Sequence, residues 1–380
     1  MLRILDISRL YNTRYTRIRN SQNMIPYVLL LVVTFILSIL SNYYKWKKNI
    51  TICVYFVLLF LMFSLRSTDI GIDLINYEAK FYDLIEDNWS NVADYVIEIG
   101  YGYFNKVIGY FTSDFQWFLV ANAAIVVLPL YYLYSQPNKD NYLKIIIFMN
   151  MAVFSMFFSG LRQSIAIALG ICAFYALLRR KRLYFIAIVF IAYFFHHSSI
   201  ILLLLWPLSL VEIKKKHLLL FIPIFIIFFV FKAQIAMIVM TALASSDDLA
   251  IYYERYGEMQ DTGAYGTLLL FVIFTLLTYV FSDEKRMEHK AFFLRNILVL
   301  ATFLQMVALI NPVSMRINYY FIAFVPAALP MCLESYNNDE KAIKILKVSL
   351  SIVLTLYYIN RAFFGQDILN IYPYKYFWEI

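Results

Sequence analysis

Phe158-Ser-Gly-Leu-Arg-Gln-Ser164 is a short polar break between two apolar runs, Leu143 to Phe157 and Ile165 to Leu178. Its position places Arg162 and Gln163 at or near the depth of a lipid bilayer. An arginine there is costly, so it normally faces a protein interior or a watery cavity and marks a functional site. Gly160 lets the backbone bend. The residues after it can begin a helix whose N-terminus attracts anions, and a neighbouring guanidinium suits a phosphate or diphosphate. The plainer alternative is a tight turn outside the membrane, with Arg162 snorkelling to the surface.

Composition favours the membrane reading. Of 380 residues, 62% are hydrophobic, 19% aromatic and only 15% charged. A soluble domain of this size carries more charge and fewer long apolar runs, so the fold class is all-α, a polytopic integral membrane helical bundle. The net charge of +8 is no sign of nucleic-acid binding. The basic residues cluster between apolar runs, as in cytoplasmic loops. Cys53, Cys172 and Cys332 lie in apolar runs without metal-ligand spacing and read as small core residues. There is no nucleotide-binding glycine loop, no CxxC, no HExxH and no long internal repeat, which argues against an ATP-driven pump.

Outward from the break, the runs number about eleven spans plus one broken re-entrant hairpin. Residues 1–24 form an arginine-rich polar tail, and residues 25–380 form a single transmembrane domain. The hairpin is expected around His196-His197, between the basic clusters Arg179–Arg182 and Lys214–Lys216. If both clusters are cytoplasmic, the chain between them enters and leaves on one side. The alternative is one tilted helix of about 28 residues, roughly 42 Å long. Placing Lys45–Lys48, Arg179–Arg182, Lys214–Lys216 and Lys285–Arg286 in the cytoplasm puts the acidic loops 66–114 and 245–266 outside, with Arg162, Arg316 and the C-terminus. The N-terminal arginines then also fall outside, against the rule.

Four polar groups share that outer side: Arg66 with Asp69, Gly71, Asp73 and Tyr77; Glu98 with Gly100, Tyr101 and Tyr103; Ser159 to Ser164; and Arg316 with Asn318, Tyr319 and Tyr320. The His196-His197 pair approaches them from within the membrane. In order and spacing, these elements resemble the EpsG family of Wzy-like polymerases of bacterial surface polysaccharides. The matching residues are Arg66, Gly71, Asp73 and Tyr77; Glu98, Gly100 and Tyr101; Gly160 to Gln163; His197-Ser198-Ser199; and Arg316. The match runs from about the second apolar run to the tail. The doubled histidine leaves two candidates for one family position, and the following Ser-Ser favours His197.

The resemblance implies a bacterial cell-membrane glycosyltransferase with its active site facing away from the cytoplasm. It would polymerise undecaprenyl-diphosphate-linked oligosaccharide repeats into capsular, exopolysaccharide or O-antigen polymer, with a flippase and a chain-length regulator as partners. Such chemistry needs cations for the leaving diphosphate, and Arg162, Arg66 and Arg316 are the candidates. It needs a base for the acceptor hydroxyl, and Glu98, Asp73 and His197 are the candidates. Gln163, His196, Tyr77, Tyr101 and Tyr319 would line the substrate site. No metal or other cofactor is called for where arginines carry the phosphate charge. Two other readings fit the same outward cavity: a polysaccharide ligase, and a lipid-linked sugar flippase or ion-coupled transporter.

Overall fold

The computed structural model describes residues 24–44, 49–96, 98–136, 139–243, 264–310, 312–365 and 367–379. The expectations for tail residues 1–23, the basic patch Lys45–Lys48 and most of the acidic loop 245–266 lie outside the described residues.

Among the described residues the chain folds into α-helices, short 3-10 turns and no strand. The first helices are α1 Ile25–Tyr43, α2 Ile50–Ser64, α3 Leu74–Glu86, α4 Val92–Tyr95 and α5 Ile99–Phe111. Next come α6 Phe115–Tyr134, α7 Asn141–Asn150, α8 Ala152–Ser159, α9 Leu161–Leu178 and α10 Arg182–Phe195. A 3-10 segment, His197–Leu204, leads into α11 Leu205–Leu210. Then follow α12 Leu218–Val230, α13 Lys232–Leu243, α14 Tyr265–Val280, α15 His289–Ala308, α16 Pro312–Ile322, α17 Val325–Glu334 and α18 Glu340–Phe364.

Five of these, α1, α6, α9, α15 and α18, are long and apolar enough to cross a membrane. The bent pairs α7 with α8 (66°) and residues 315–322 of α16 with α17 (41°) raise the number to seven if each is one span. Among the described residues this does not reach the expected eleven or so spans. The apolar runs are present, but the chain breaks or shortens them. Helices α2, α10 and α14 hold 15, 14 and 16 residues. A straight crossing takes about 20.

Helices α9 and α15 are central. Phe174 of α9 stacks on Phe293 of α15 at 4.6 Å and meets Phe324, ahead of α17, at 5.1 Å. Helices α1 and α18 lie at the periphery with most of their apolar side chains exposed. A helix broken inside a membrane leaves carbonyls without partners. Where α7 ends, Arg361 of α18 supplies them, donating to Met149 O and Asn150 O at 3.0 Å each. Asn150 Nδ2 donates in turn to Leu354 O at 2.9 Å.

The chain does turn back at His196-His197. Phe185, near the start of α10, packs edge-on against Trp206 of α11 at 5.9 Å, and the Arg182 guanidinium lies over the same indole at 5.7 Å. Residues 197–210 therefore run back along α10, with the histidines at the apex. The single long helix is excluded. The far end of this hairpin is fixed by α15: Asn296 Nδ2 donates to Leu208 O and Val211 O, and the buried Arg295 donates to Ile213 O and Glu284.

Candidate functional site

The site is built at the break between α8 and α9. Gly160 ends α8, and α9 begins at Leu161, so Arg162 and Gln163 stand in its first turn. Four other segments converge there, and two glycines set the closest approaches among them. Gly71 has φ +105°, and a Cβ on it would lie 2.3 Å from Phe158 O. The loop before α3 therefore seats directly on the break. Ser159 Oγ donates to Asp73 Oδ2 at 3.0 Å, and the Asp73 N–H donates back to Ser159 Oγ at 3.3 Å. Gly100 plays the same part for α5. A Cβ there would sit 2.7 Å from Phe194 Cβ and 2.9 Å from Phe194 O. That contact places Glu98, which precedes α5, against His196, which follows α10.

Glu98 is the hub. One carboxylate oxygen takes the Arg162 Nη1 ion pair, and the other lies 2.9 Å from His196 Nδ1. Arg162 Nε donates to Tyr77 OH at 3.4 Å, and its guanidinium sits 5.7 Å from the Tyr77 ring centroid. Burial alone would raise the Glu98 pKa. The His196 hydrogen bond and the Arg162 charge outweigh it and hold the carboxyl below its ordinary range. Glu98 is thus an anion at neutral pH. With Nδ1–H donating to Glu98, His196 keeps its Nε2 lone pair for another proton. Burial pushes the Tyr77 hydroxyl above its ordinary range, so it stays protonated beside Arg162.

On the other flank, Gln163 Nε2 donates to the carbonyl of Arg316 at 2.5 Å, and Ser198 Oγ lies 3.0 Å from Tyr320 OH. The hairpin apex and α16 are thereby tied to the start of α9. The Arg316 side chain is exposed, and among the described residues it has no ion pair. It is the one cation of this cluster without an acid.

The structure therefore gathers Asp73, Tyr77, Glu98, Arg162, Gln163, His196 and Arg316. It does not bring every expected residue to the cluster in the expected role. His197 stacks on Tyr193 at 4.7 Å, while His196 makes the carboxylate contact. The Ser-Ser that follows could not decide this, because the extended backbone at His196 sets which ring points inward. Arg66 lies elsewhere. It is 1% exposed, with Phe63 and Phe158 rings at 5.7 Å, and it donates to Phe63 O. A guanidinium so enclosed is a packing clamp and offers no surface to a phosphate. Tyr77, Tyr101 and Tyr319 are all buried against protein, so none presents an open ring to a sugar. Ser159 and Tyr320, both within the polar groups named from the sequence, complete the site's hydrogen bonds. Among the described residues no three His, Cys, Asp or Glu side chains converge as a metal site would require.

The arrangement can bind an anion at Arg162 and Arg316 and present an oriented imidazole–carboxylate pair next to it. A family model described as the EpsG family matches residues 49–376. No curated protein and no solved structure matches the chain.

Proposed function

Because this chain belongs to the EpsG family, we propose that it is a membrane glycosyltransferase joining polyprenyl-diphosphate-linked oligosaccharide repeats into a surface polysaccharide. The observation that carries the reading is the Arg162–Glu98–His196 chain of contacts, with the unpaired Arg316 on its flank. Transfer forms a bond from the acceptor sugar hydroxyl to the anomeric carbon of the growing glycan. The bond from that carbon to the diphosphate oxygen breaks, and the carrier leaves as polyprenyl diphosphate. The leaving oxygens gain negative charge, which arginine neutralises bidentately without surrendering a proton. Arg162 and Arg316 take this role. The acceptor proton passes to His196 Nε2, and Glu98 holds the ring and stabilises the imidazolium that forms. Asp73, tied to Ser159, positions the start of α3, which carries Tyr77.

The basic clusters Arg179–Arg182 and Lys214–Lys216 both belong to the end of the bundle opposite Arg162. With those clusters in the cytoplasm, the site opens on the outer face, where lipid-linked repeats would meet it after a flippase has turned them over.

Arg162→Ala is the test. Membranes containing correctly inserted variant should lose long polymer and accumulate single lipid-linked repeats. Normal polymer length would end the assignment. Loss of attachment to a final acceptor, with long chains still made on the carrier, would point to a ligase instead.

A further inference from the structure

The loop 66–114 reads as water-exposed by its acids, yet its two principal helices have opposite polarity. Helix α3 carries polar groups outward: Leu74, Tyr77, Phe81 and Leu84 are buried, while Asn76, Lys80, Asp83 and Glu86 are exposed beside Ile75 and Tyr82. Helix α5 is inverted. Each of its exposed positions, Ile99, Tyr103, Val107, Tyr110 and Phe111, is apolar or aromatic. Its two long polar side chains point inward: Asn105 is 0% exposed and Lys106 4%. Lys106 Nζ donates to Asp87 O and lies 6.0 Å from the Trp89 ring centroid.

Scattered exposed apolar residues are normal on water-soluble surfaces. A helix whose whole outer face is apolar, with its amide and ammonium groups turned inward, is what a lipid solvent selects. The stripe recurs at i, i+4, i+8 and i+11, one face of a helix. It also continues the exposed apolar surfaces of α6, which is long and apolar enough to cross a membrane, and of α10. The inner side of α5 packs on α6 and α10 through Phe104, 5.1 Å from Phe118 and 6.3 Å from Phe195. Trp117 and Leu128 on α6 and Phe190 on α10 are themselves exposed.

We propose that α5 lies in the bilayer, with the face of Ile99, Tyr103, Val107 and Tyr110 against lipid acyl chains. At 13 residues it is about 20 Å long, too short to span. It is a membrane-seated half-helix within a segment whose other helix faces water. This inference rests on the burial pattern of α5 and is independent of the transfer reaction.

The test uses full-length protein with Cys53, Cys172 and Cys332 replaced, reconstituted into phospholipid vesicles. One fluorophore-labelled cysteine is placed by Val107→Cys, Tyr110→Cys or, as the water-facing control, Asp83→Cys. The expected result is loss of fluorescence at 107 and 110 with acyl-chain nitroxide lipids and none with iodide, and the reverse at 83. Iodide quenching at 107 and 110 equal to that at 83 would overturn the proposal. So would shielding from both quenchers, which would mean that a protein covers this face.

Discussion

Gly100→Ala tests whether the distance between α5 and α10 sets the chemistry. The added Cβ would stand 2.7 Å from Phe194 Cβ and 2.9 Å from Phe194 O. Relaxed carbon–carbon contacts lie at about 3.5–4.0 Å, so the two helix ends must part by about 1 Å. Among the described residues, the outer face of α5 meets only the Trp89 ring, stacked on Tyr103 at 6.3 Å, which lets the helix shift without unfolding the bundle. Overpacking of this kind costs about 1–3 kcal/mol. The site is affected more. Glu98 rides on the start of α5 and His196 on the end of α10, so a contact now at 2.9 Å opens beyond hydrogen-bond range. A hydrogen bond to a charged group contributes about 1.5–3 kcal/mol, and a misplacement of about 1 Å can slow chemistry on the order of 100-fold. The assay is the initial rate of chain extension by purified protein in nanodiscs, supplied with synthetic lipid-diphosphate repeats, beside a thermal melt. Gly266→Ala is the control, because nothing lies within 4 Å of its added Cβ. A wild-type rate for Gly100→Ala would refute the claim that this glycine sets the Glu98–His196 distance.

Three further outcomes follow from the same geometry. His196→Ala should slow extension by about 100- to 10,000-fold, the usual worth of a general base. His197→Ala should leave the rate nearly unchanged, because it removes only the stack on Tyr193; equal losses in the two variants would undo the assignment. Gly71→Ala forces a side chain into φ +105° and against Phe158 O. The strain of about 1–3 kcal/mol should lower the melting temperature, and a melt matching wild type would show that the loop does not seat on the break. The pH dependence has a definite sign. The folded Glu98 pKa is depressed, so its stabilising contribution is present above the unfolded carboxylate value, about 4.3, and is lost as pH falls through the folded one. The melting-temperature gap between wild type and Glu98→Gln should hold from pH 7 to 5 and close only below about pH 4. Closure between pH 6 and 7 would contradict the ion-pair account.

Composition and apolar runs were enough for the membrane class, and the break at Phe158–Ser164 lies where the polar residues of the candidate site converge. Polar residues inside apolar runs are costly enough to stand out. The number of spans was not legible, since a run's length does not reveal that α7 and α8 meet at 66°. Arg361 and Asn150 permit that bend, and only tertiary structure brings them together. The choice between His196 and His197 turned on one extended residue, invisible to spacing. Arg66 was misjudged for a related reason. A basic residue at the end of an apolar run looks the same whether it faces substrate or is enclosed by Phe63 and Phe158.

That enclosure has a consequence for how the molecule is made. Residues 65–72 are hydrogen-bonded to residues 369–377: Phe377 N–H to Leu65 O, Ser67 N–H to Lys375 O, Gly71 N–H to Asn370 O and Ile72 N–H to Leu369 O. Lys375 reaches Asp69 across 306 positions of sequence. During synthesis, the segment bearing Asp73 and Tyr77 therefore waits for nearly the whole polypeptide before its seat is complete. A nascent chain halted upstream of residue 369 would carry Arg162 and Glu98 and still lack a finished reaction centre.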